Sequence, residues 1–159
     1  MTGLAAPAGW RLEAFDSIDS TNAEAIRRAK AGAPGGLAFT ARAQTAGRGR
    51  AGRSWSTGGA DLALSILMRP ALRPADAGAV GFVAALAVYD LARSVLPADA
   101  PLAIKWPNDV MIGDGKLCGI LAEAAAAPNG MVDWLVVGMG VNLAPADRPL
   151  PANPIDIAS

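Results

Sequence analysis

Alternating apolar and polar positions mark strands along this chain, and two stretches of longer period mark helices. Trp10 to Phe15 alternates and predicts a first strand. Thr21 and Glu24 have the spacing of a capping box and open a helix to about Ala31, with Gly32 as its stop. Gly35-Gly36 then turns the chain into a strand near Leu37–Arg42, and Asp61 to Met68 alternates again. Pro74 suits a first helical position, and Ala75 to Leu96 reads as a long, mostly buried helix ended by Pro97. Leu102 to Trp106 is a short strand stopped by Pro107.

Val110–Ile112, the turn Gly113-Asp114-Gly115 and Lys116–Ala124 predict a hairpin, with Asp-Gly supplying the positive φ of a tight turn. Pro128-Asn129-Gly130 marks another turn before a last long strand, Met131 to Leu143, flexed by Gly138 and Gly140. From Ala144 the chain turns loop-like, with Pro145, Pro149, Pro151 and Pro154 close together. There is no internal repeat. Hairpin-linked strands with two helices predict one α+β domain over 1–159, a mixed, mainly antiparallel sheet flanked by helices.

Composition narrows the chemistry. The chain is 52% hydrophobic, which fits a globular core, and with only 5% aromatics that core is built of small side chains. Fourteen Lys and Arg balance fourteen Asp and Glu, so no overall basic field invites DNA. A lone cysteine, Cys118, forbids an internal disulfide and fits a reducing compartment. With no histidine, neither a His-bearing triad nor a His-ligated metal site can be built. The N-terminus lacks a signal-peptide pattern, and no apolar run reaches the about 18 residues of a membrane span, so a cytoplasmic, membrane-free protein is expected.

The charge that matters is local. Thr45 to Trp55 (TAGRGRAGRSW) interleaves Gly47, Gly49 and Gly52 with Arg48, Arg50 and Arg53. Glycine lets backbone approach a ligand closely, and guanidinium forks suit phosphate or carboxylate. The segment also matches G-x-G-x-x-G, but no helix follows it, which discounts a dinucleotide fold. A solvated surface loop is the plain alternative, an anion clamp the functional one.

Other residues carry similar pairs of readings. Lys105-Trp106-Pro107-Asn108-Asp109 is a strand exit with an Asx-type turn. Alternatively, Asn108 reads an adenine edge and Asp109 holds ribose or a metal-bound phosphate. Lys116 is a strand-edge charge, or a movable cation for a carboxylate or developing phosphate anion. Gly119 would let a ligand lie on bare backbone. Ser20-Thr21-Asn22 caps a helix or meets a small polar ligand there. Trp55 packs under the loop or stacks on a purine, and Cys118 reads as core.

Five stretches together resemble the catalytic domain of biotin–protein ligases, the biotin–[acetyl-CoA-carboxylase] ligases. They are DSTNAEA (Asp19–Ala25), AQTAGRGRAGRSW (Ala43–Trp55), LALSILMRP (Leu62–Pro70), IKWPNDVMIGDGKLCGILAE (Ile104–Glu123) and VVGMGVNL (Val136–Leu143). Their order and spacing also match, across 19–143. The resemblance implies the biotin/lipoate ligase fold, akin to class II aminoacyl-tRNA synthetases. It implies biotin and Mg2+-ATP as substrates, biotinyl-5′-AMP as intermediate, and a lysine of a biotin carboxyl carrier protein as acceptor.

Carried over by position, Ser20, Thr21, Asn22, Gln44, Gly47, Arg48, Gly49 and Arg50 surround biotin and the activated phosphate. Lys116, beside Gly119, contacts the biotin carboxylate and bridging phosphate oxygens. The nucleotide side falls to Arg50, Arg53, Trp55, Asn108, Asp109 and Asn142. Arg48, Arg50 and Lys116 supply the catalytic positive charge, and no metal ligand is implied. The loop from Ala43 to Gly58 is expected to be mobile when empty and protected by biotin and ATP. The resemblance lacks the repressor-type DNA-binding domain and stops short at the C-terminus, which implies an incomplete catalytic domain. A lipoate or octanoate ligase or transferase of the same fold, using Cys118 if a thioester forms, and a non-catalytic biotin-binding remnant are the alternatives. Relatives that pair through sheet edges make a homodimer an expectation.

Overall fold

The computed structural model describes residues 7–57 and 61–143, so the proline-rich stretch from 144 lies outside them. Its strands are β1 (Arg11–Ile18), β2 (Leu37–Gln44), β3 (Leu62–Met68), β4 (Leu102–Lys105), β5 (Asp109–Ile112), β6 (Gly115–Ala126) and β7 (Val132–Val141). Helix α1 (Thr21–Lys30) follows β1, and α2 (Ala79–Val95) follows β3. One seven-stranded sheet runs in the order β1-β2-β3-β7-β6-β5-β4. β1 and β2 are parallel because α1 carries the chain back between them, while the other neighbours are antiparallel. The expected α+β fold, with its mainly antiparallel sheet, is the observed one.

Alternation along β7 divides the molecule into two faces. Trp134 and Val136 pack with Ala25, Ala29, Phe39 and Leu67 beneath α1. Leu135 and Val137 pack with Ala85, Val88, Ala92, Val110 and Cys118 beneath α2. The helices therefore cover opposite faces, and small alanines on both let each lie close to the strands.

Several sequence expectations need correction. The N-cap of α1 is Ser20, one residue before the expected one, because its hydroxyl accepts the Ala23 N–H at 3.4 Å. Glu24 then sits too far along to close a capping box and instead pairs with Arg27 and Arg28. Pro74 begins a short 3-10 turn, Pro74–Asp76, and the α-helix proper starts at Ala79. That helix is not mostly buried. It lies on one sheet face, so Phe82, Val83, Leu86, Leu91 and Val95 stay exposed.

By length and mean composition Pro74–Val95 is apolar enough to cross a membrane, although Asp90 and Arg93 keep its uninterrupted apolar run short of the expected limit. Its inner stripe packs on the sheet. In the β5–β6 hairpin the connection is two residues, and Gly113 rather than Asp-Gly takes positive φ (+56°), as a type II′ turn needs.

Candidate active site beneath the Gly/Arg loop

The N-terminus of α1 carries Ser20, Thr21 and Asn22 into the sheet, where all three are buried. Asp19 anchors this end: its Oδ1 accepts the Ser20 N–H at 2.7 Å, and Arg27 forks onto both carboxylate oxygens at 2.8 and 2.9 Å. That hydrogen bonding to Arg27 lowers the Asp19 pKa to about 2.

Behind the helix end runs a continuous polar chain. Thr21 N–H donates to Gln44 Oε1 at 2.9 Å, and the Thr21 hydroxyl lies 3.2 Å from the same oxygen. Ser65, fully buried on β3, sits 2.8 Å from Thr21 Oγ1 and 2.5 Å from Asn22 Oδ1. Asn22 Nδ2 donates to Glu123 Oε2 at 3.0 Å and to the Leu121 carbonyl at 3.3 Å. At the other end Gln44 Nε2 donates to Thr57 Oγ1 at 2.8 Å. Sequence reasoning missed Ser65. Its signal was a hydroxyl at the middle inward position of an alternating strand, between buried Ala63 and Leu67.

The Gly/Arg segment folds back on itself as a narrow ribbon over this floor. Trp55 N–H donates to Gly47 O at 2.9 Å and Gly49 N–H to Arg53 O at 2.7 Å. At the tip, Ala51 and Gly52 both take positive φ. A side chain at Gly47 would strike the Trp55 carbonyl, so this glycine serves the ribbon's closure. Each loop arginine has a different partner. Arg48 reaches Glu123 Oε1 at 2.7 Å, Arg50 reaches Asn108 Oδ1 at 3.0 Å, and Arg53 Nε reaches the Arg50 carbonyl at 3.2 Å.

Trp55 turns its indole onto the sheet, where a side chain at Gly119 or Gly140 would collide with it. Gly119 thus offers its bare backbone to Trp55 and to the Lys116 side chain, not to open space. The Trp55 ring centroid is 5.3 Å from Lys116 Nζ, and indole Nε1 is buried without a partner. Lys116 Nζ also lies 2.8 Å from Asp109 Oδ1, an ion pair in contact but without the alignment of a hydrogen bond. Asn142 steadies this lysine from behind, its Nδ2 donating to the Lys116 carbonyl at 2.8 Å.

These groups enclose a narrow cavity of about 50 Å³. It is lined by Ser20, Thr21, Asn22, Gln44, Arg48, Gly49, Arg50, Arg53, Trp55, Asn108, Lys116 and Gly119, all expected from sequence, together with Ser65, Gly138 and Gly140. The amine at 116 and the loop guanidinia therefore share one space. Gly47, Asp109 and Asn142 do not line it; they act on residues that do. A wider groove of about 620 Å³ adjoins it, between the loop tip, Trp106-Pro107, the start of α2 and Ile120–Glu123.

Cys118 faces the other side of the sheet, in the α2 core, where burial pushes its thiol up to about 12. Among the described residues no three acidic, cysteine or histidine side chains gather to hold a metal ion.

Residues 14–142 match the biotin/lipoate A/B protein ligase family. Among relatives, the biotin–[acetyl-CoA-carboxylase] ligase of Paracoccus denitrificans is 46% identical over 128 residues, covering 80% of this chain and 52% of its own length. That of Mycobacterium tuberculosis is 40% identical over 148 residues, covering 90% and 53%. A solved biotin protein ligase from Aquifex aeolicus, in complex with biotin and ATP, superposes with a TM-score of 0.70 at 30% identity. That match covers 87% of this chain and 54% of that one. The chain thus spans about half the length of the relatives it matches.

Proposed function

The chain belongs to the biotin/lipoate A/B protein ligase family, and from that premise we propose that it activates biotin with Mg2+-ATP and transfers it to a carrier-protein lysine. The carrying observation is the shared cavity: a neutral hydrogen-bonding floor at one end, and Lys116 with the loop arginines at the other. Thr21, Asn22, Gln44 and Ser65 offer donors and acceptors suited to the biotin ureido group. The biotin carboxylate then extends toward Lys116, which must exchange Asp109 for the new anion.

In the first step a carboxylate oxygen attacks the ATP α-phosphorus. A C–O–P linkage forms, the bond to the β-phosphate oxygen breaks, and pyrophosphate leaves. Arg50 and Lys116 neutralise the added charge in the transition state, and Arg48 and Arg53 shape the loop that carries Arg50. Asn108 and Trp55 support the nucleotide side, and Asn142 positions Lys116 through its carbonyl. Mg2+ arrives with the triphosphate. In the second step the neutral amine of a carrier lysine attacks the acyl carbon, AMP leaves, and the amine gives up a proton. No protein nucleophile takes part, which agrees with Cys118 lying in the opposite core.

The Trp55 indole lies against Gly119 and Gly140 across the cavity, so outward movement of the ribbon with Trp55 would widen it for entry, and closure over the adenylate would exclude water. The carrier domain approaches along the free edge of β6, which borders the wider groove; a second copy of the chain pairing by the same edge would compete. ATP dependence and a reduced thiol fit a cytoplasmic site of action.

Biotin-dependent exchange of labelled pyrophosphate into ATP tests this reading on the chain itself. Exchange with biotin, and not with lipoate or octanoate, is expected. Biotin binding without exchange makes the chain a binding remnant, and exchange with lipoate alone reassigns the substrate.

A further inference from the structure

Glu123 lies outside the expected site, yet it joins the cavity floor to the loop above it. It stands on β6, with its carboxylate on the α1 face and its side chain about a quarter exposed. Its two oxygens serve two different elements. Oε2 accepts from Asn22 Nδ2 at 3.0 Å, and Oε1 accepts from Arg48 Nη2 at 2.7 Å, across 75 positions of sequence.

The first contact sets a direction. Glu123 and the Leu121 carbonyl take both protons of the Asn22 amide nitrogen, so Asn22 must present its oxygen to Ser65. The single Ser65 proton goes to that oxygen, leaving the Thr21 hydroxyl to donate to Ser65 or to Gln44. The Glu123 carboxylate and the Leu121 carbonyl, both acceptors only, thereby fix together the polarity of the buried chain. The second contact distinguishes the arginines. Arg48 is committed to a full negative charge, whereas Arg50 meets a neutral amide oxygen and Arg53 a backbone carbonyl. A ligand anion therefore recruits Arg50 or Arg53 at less cost than Arg48.

We propose that Glu123 is a positioning residue that couples the biotin-side floor to the loop, and that Arg48 is its clasp rather than a phosphate ligand. The ligand named here rests on the ligase reading; the clasp itself does not.

Hydrogen exchange of the amides of residues 45–57, measured on the ligand-free full chain, separates the two. Glu123→Gln and Arg48→Gln are each expected to speed exchange roughly threefold, modest because Arg48 is half exposed. The double variant should be no faster than either single one, and the swap Arg48→Glu with Glu123→Arg should restore protection. In the exchange assay with pyrophosphate, Glu123→Gln should raise the KM for biotin more than Arg48→Gln does, because it also removes one of the two acceptors that orient Asn22. The kcat of Glu123→Gln at saturating biotin should stay within about twofold. Wild-type amide exchange in Glu123→Gln, or effects that multiply in the double variant, overturns the clasp. If the wild-type chain binds no biotin, the ligase reading falls while the amide exchange still decides the coupling.

Discussion

Lys116 is held by three unlike contacts: the Asp109 carboxylate, the face of Trp55, and backbone fixed by Asn142. A cation so placed is neutralised but not saturated, since its contact with Asp109 lacks hydrogen-bond alignment, so an incoming carboxylate competes well. Lys116→Ala should abolish pyrophosphate exchange while the far-ultraviolet dichroism stays near wild type, with some loss of Tm because Asp109 is left buried without its cation. Undiminished exchange would remove Lys116 from the mechanism. Gly138 and Gly140 are the reverse case. In the sequence they read as flexible points of a strand; in the fold they make room for Asn22 and Trp55, whose atoms occupy the space of the missing side chains. Gly138→Ala would drive its methyl into the Asn22 amide, whose orientation the floor depends on. A loss of about 1–3 kcal/mol in denaturant stability, together with a raised KM for biotin, is expected; an unchanged KM would show that Asn22 tolerates displacement. The charged and amide residues of the site were legible because their chemistry is local. The glycines and Ser65 were not, because their role is defined by what another strand or helix brings against them.

Elements were legible where their pattern is independent of neighbours and obscure where packing decides. The Gly35-Gly36 turn located β2 and alternation located β3, but the apolar length of α2 concealed that only Gly81, Ala84, Ala85, Val88 and Ala92 of that helix are buried. The consequence is measurable. Leu91→Gln, on the exposed stripe, should change stability by no more than about 0.5 kcal/mol, whereas Ala85→Leu should cost about 1–3 kcal/mol by overpacking. Equal effects would mean that the outer stripe is covered in solution. The start of α1 carries the clearest pH dependence. Hydrogen bonds from Arg27 depress the Asp19 pKa from 3.8 to about 2. A depressed carboxylate stabilises the fold above the unfolded-state value and loses that contribution as pH falls through the folded one. The Asp19→Asn variant should therefore be less stable than wild type near neutrality, by under about 1 kcal/mol because the pair is half exposed. The gap should shrink between pH 3.8 and about 2. A gap that persists below that window would assign the effect to the cap geometry instead.

At the scale of the molecule, the sheet separates chemistry from core: the cavity lies under α1 and the loop, the apolar cluster with Cys118 under α2. No alternation in sequence announces which face carries function, because both faces of β7 are apolar; the division emerges when α1 and α2 dock on opposite sides. The same sheet leaves backbone groups unpaired along one edge of β6. Both the N–H and the carbonyl of Ile120 bond to Asn108, away from β7, so by the two-residue period of an antiparallel ladder Ala122 and Ala124 also point their backbone groups outward. β5 ends opposite Gly119, leaving that edge open beside the wider groove. On the proposed ligase reading, an open edge next to the cavity suits an acceptor that adds a strand and presents its lysine from the adjoining turn. Proline is tolerated where an edge N–H faces outward, because no ladder bond is lost. Ala124→Pro should therefore leave biotin-dependent pyrophosphate exchange within about twofold of wild type while lowering transfer to a carrier domain by about tenfold or more, the scale of losing one or two hydrogen bonds. If both activities fall together the edge is structural, and if neither falls the carrier docks elsewhere.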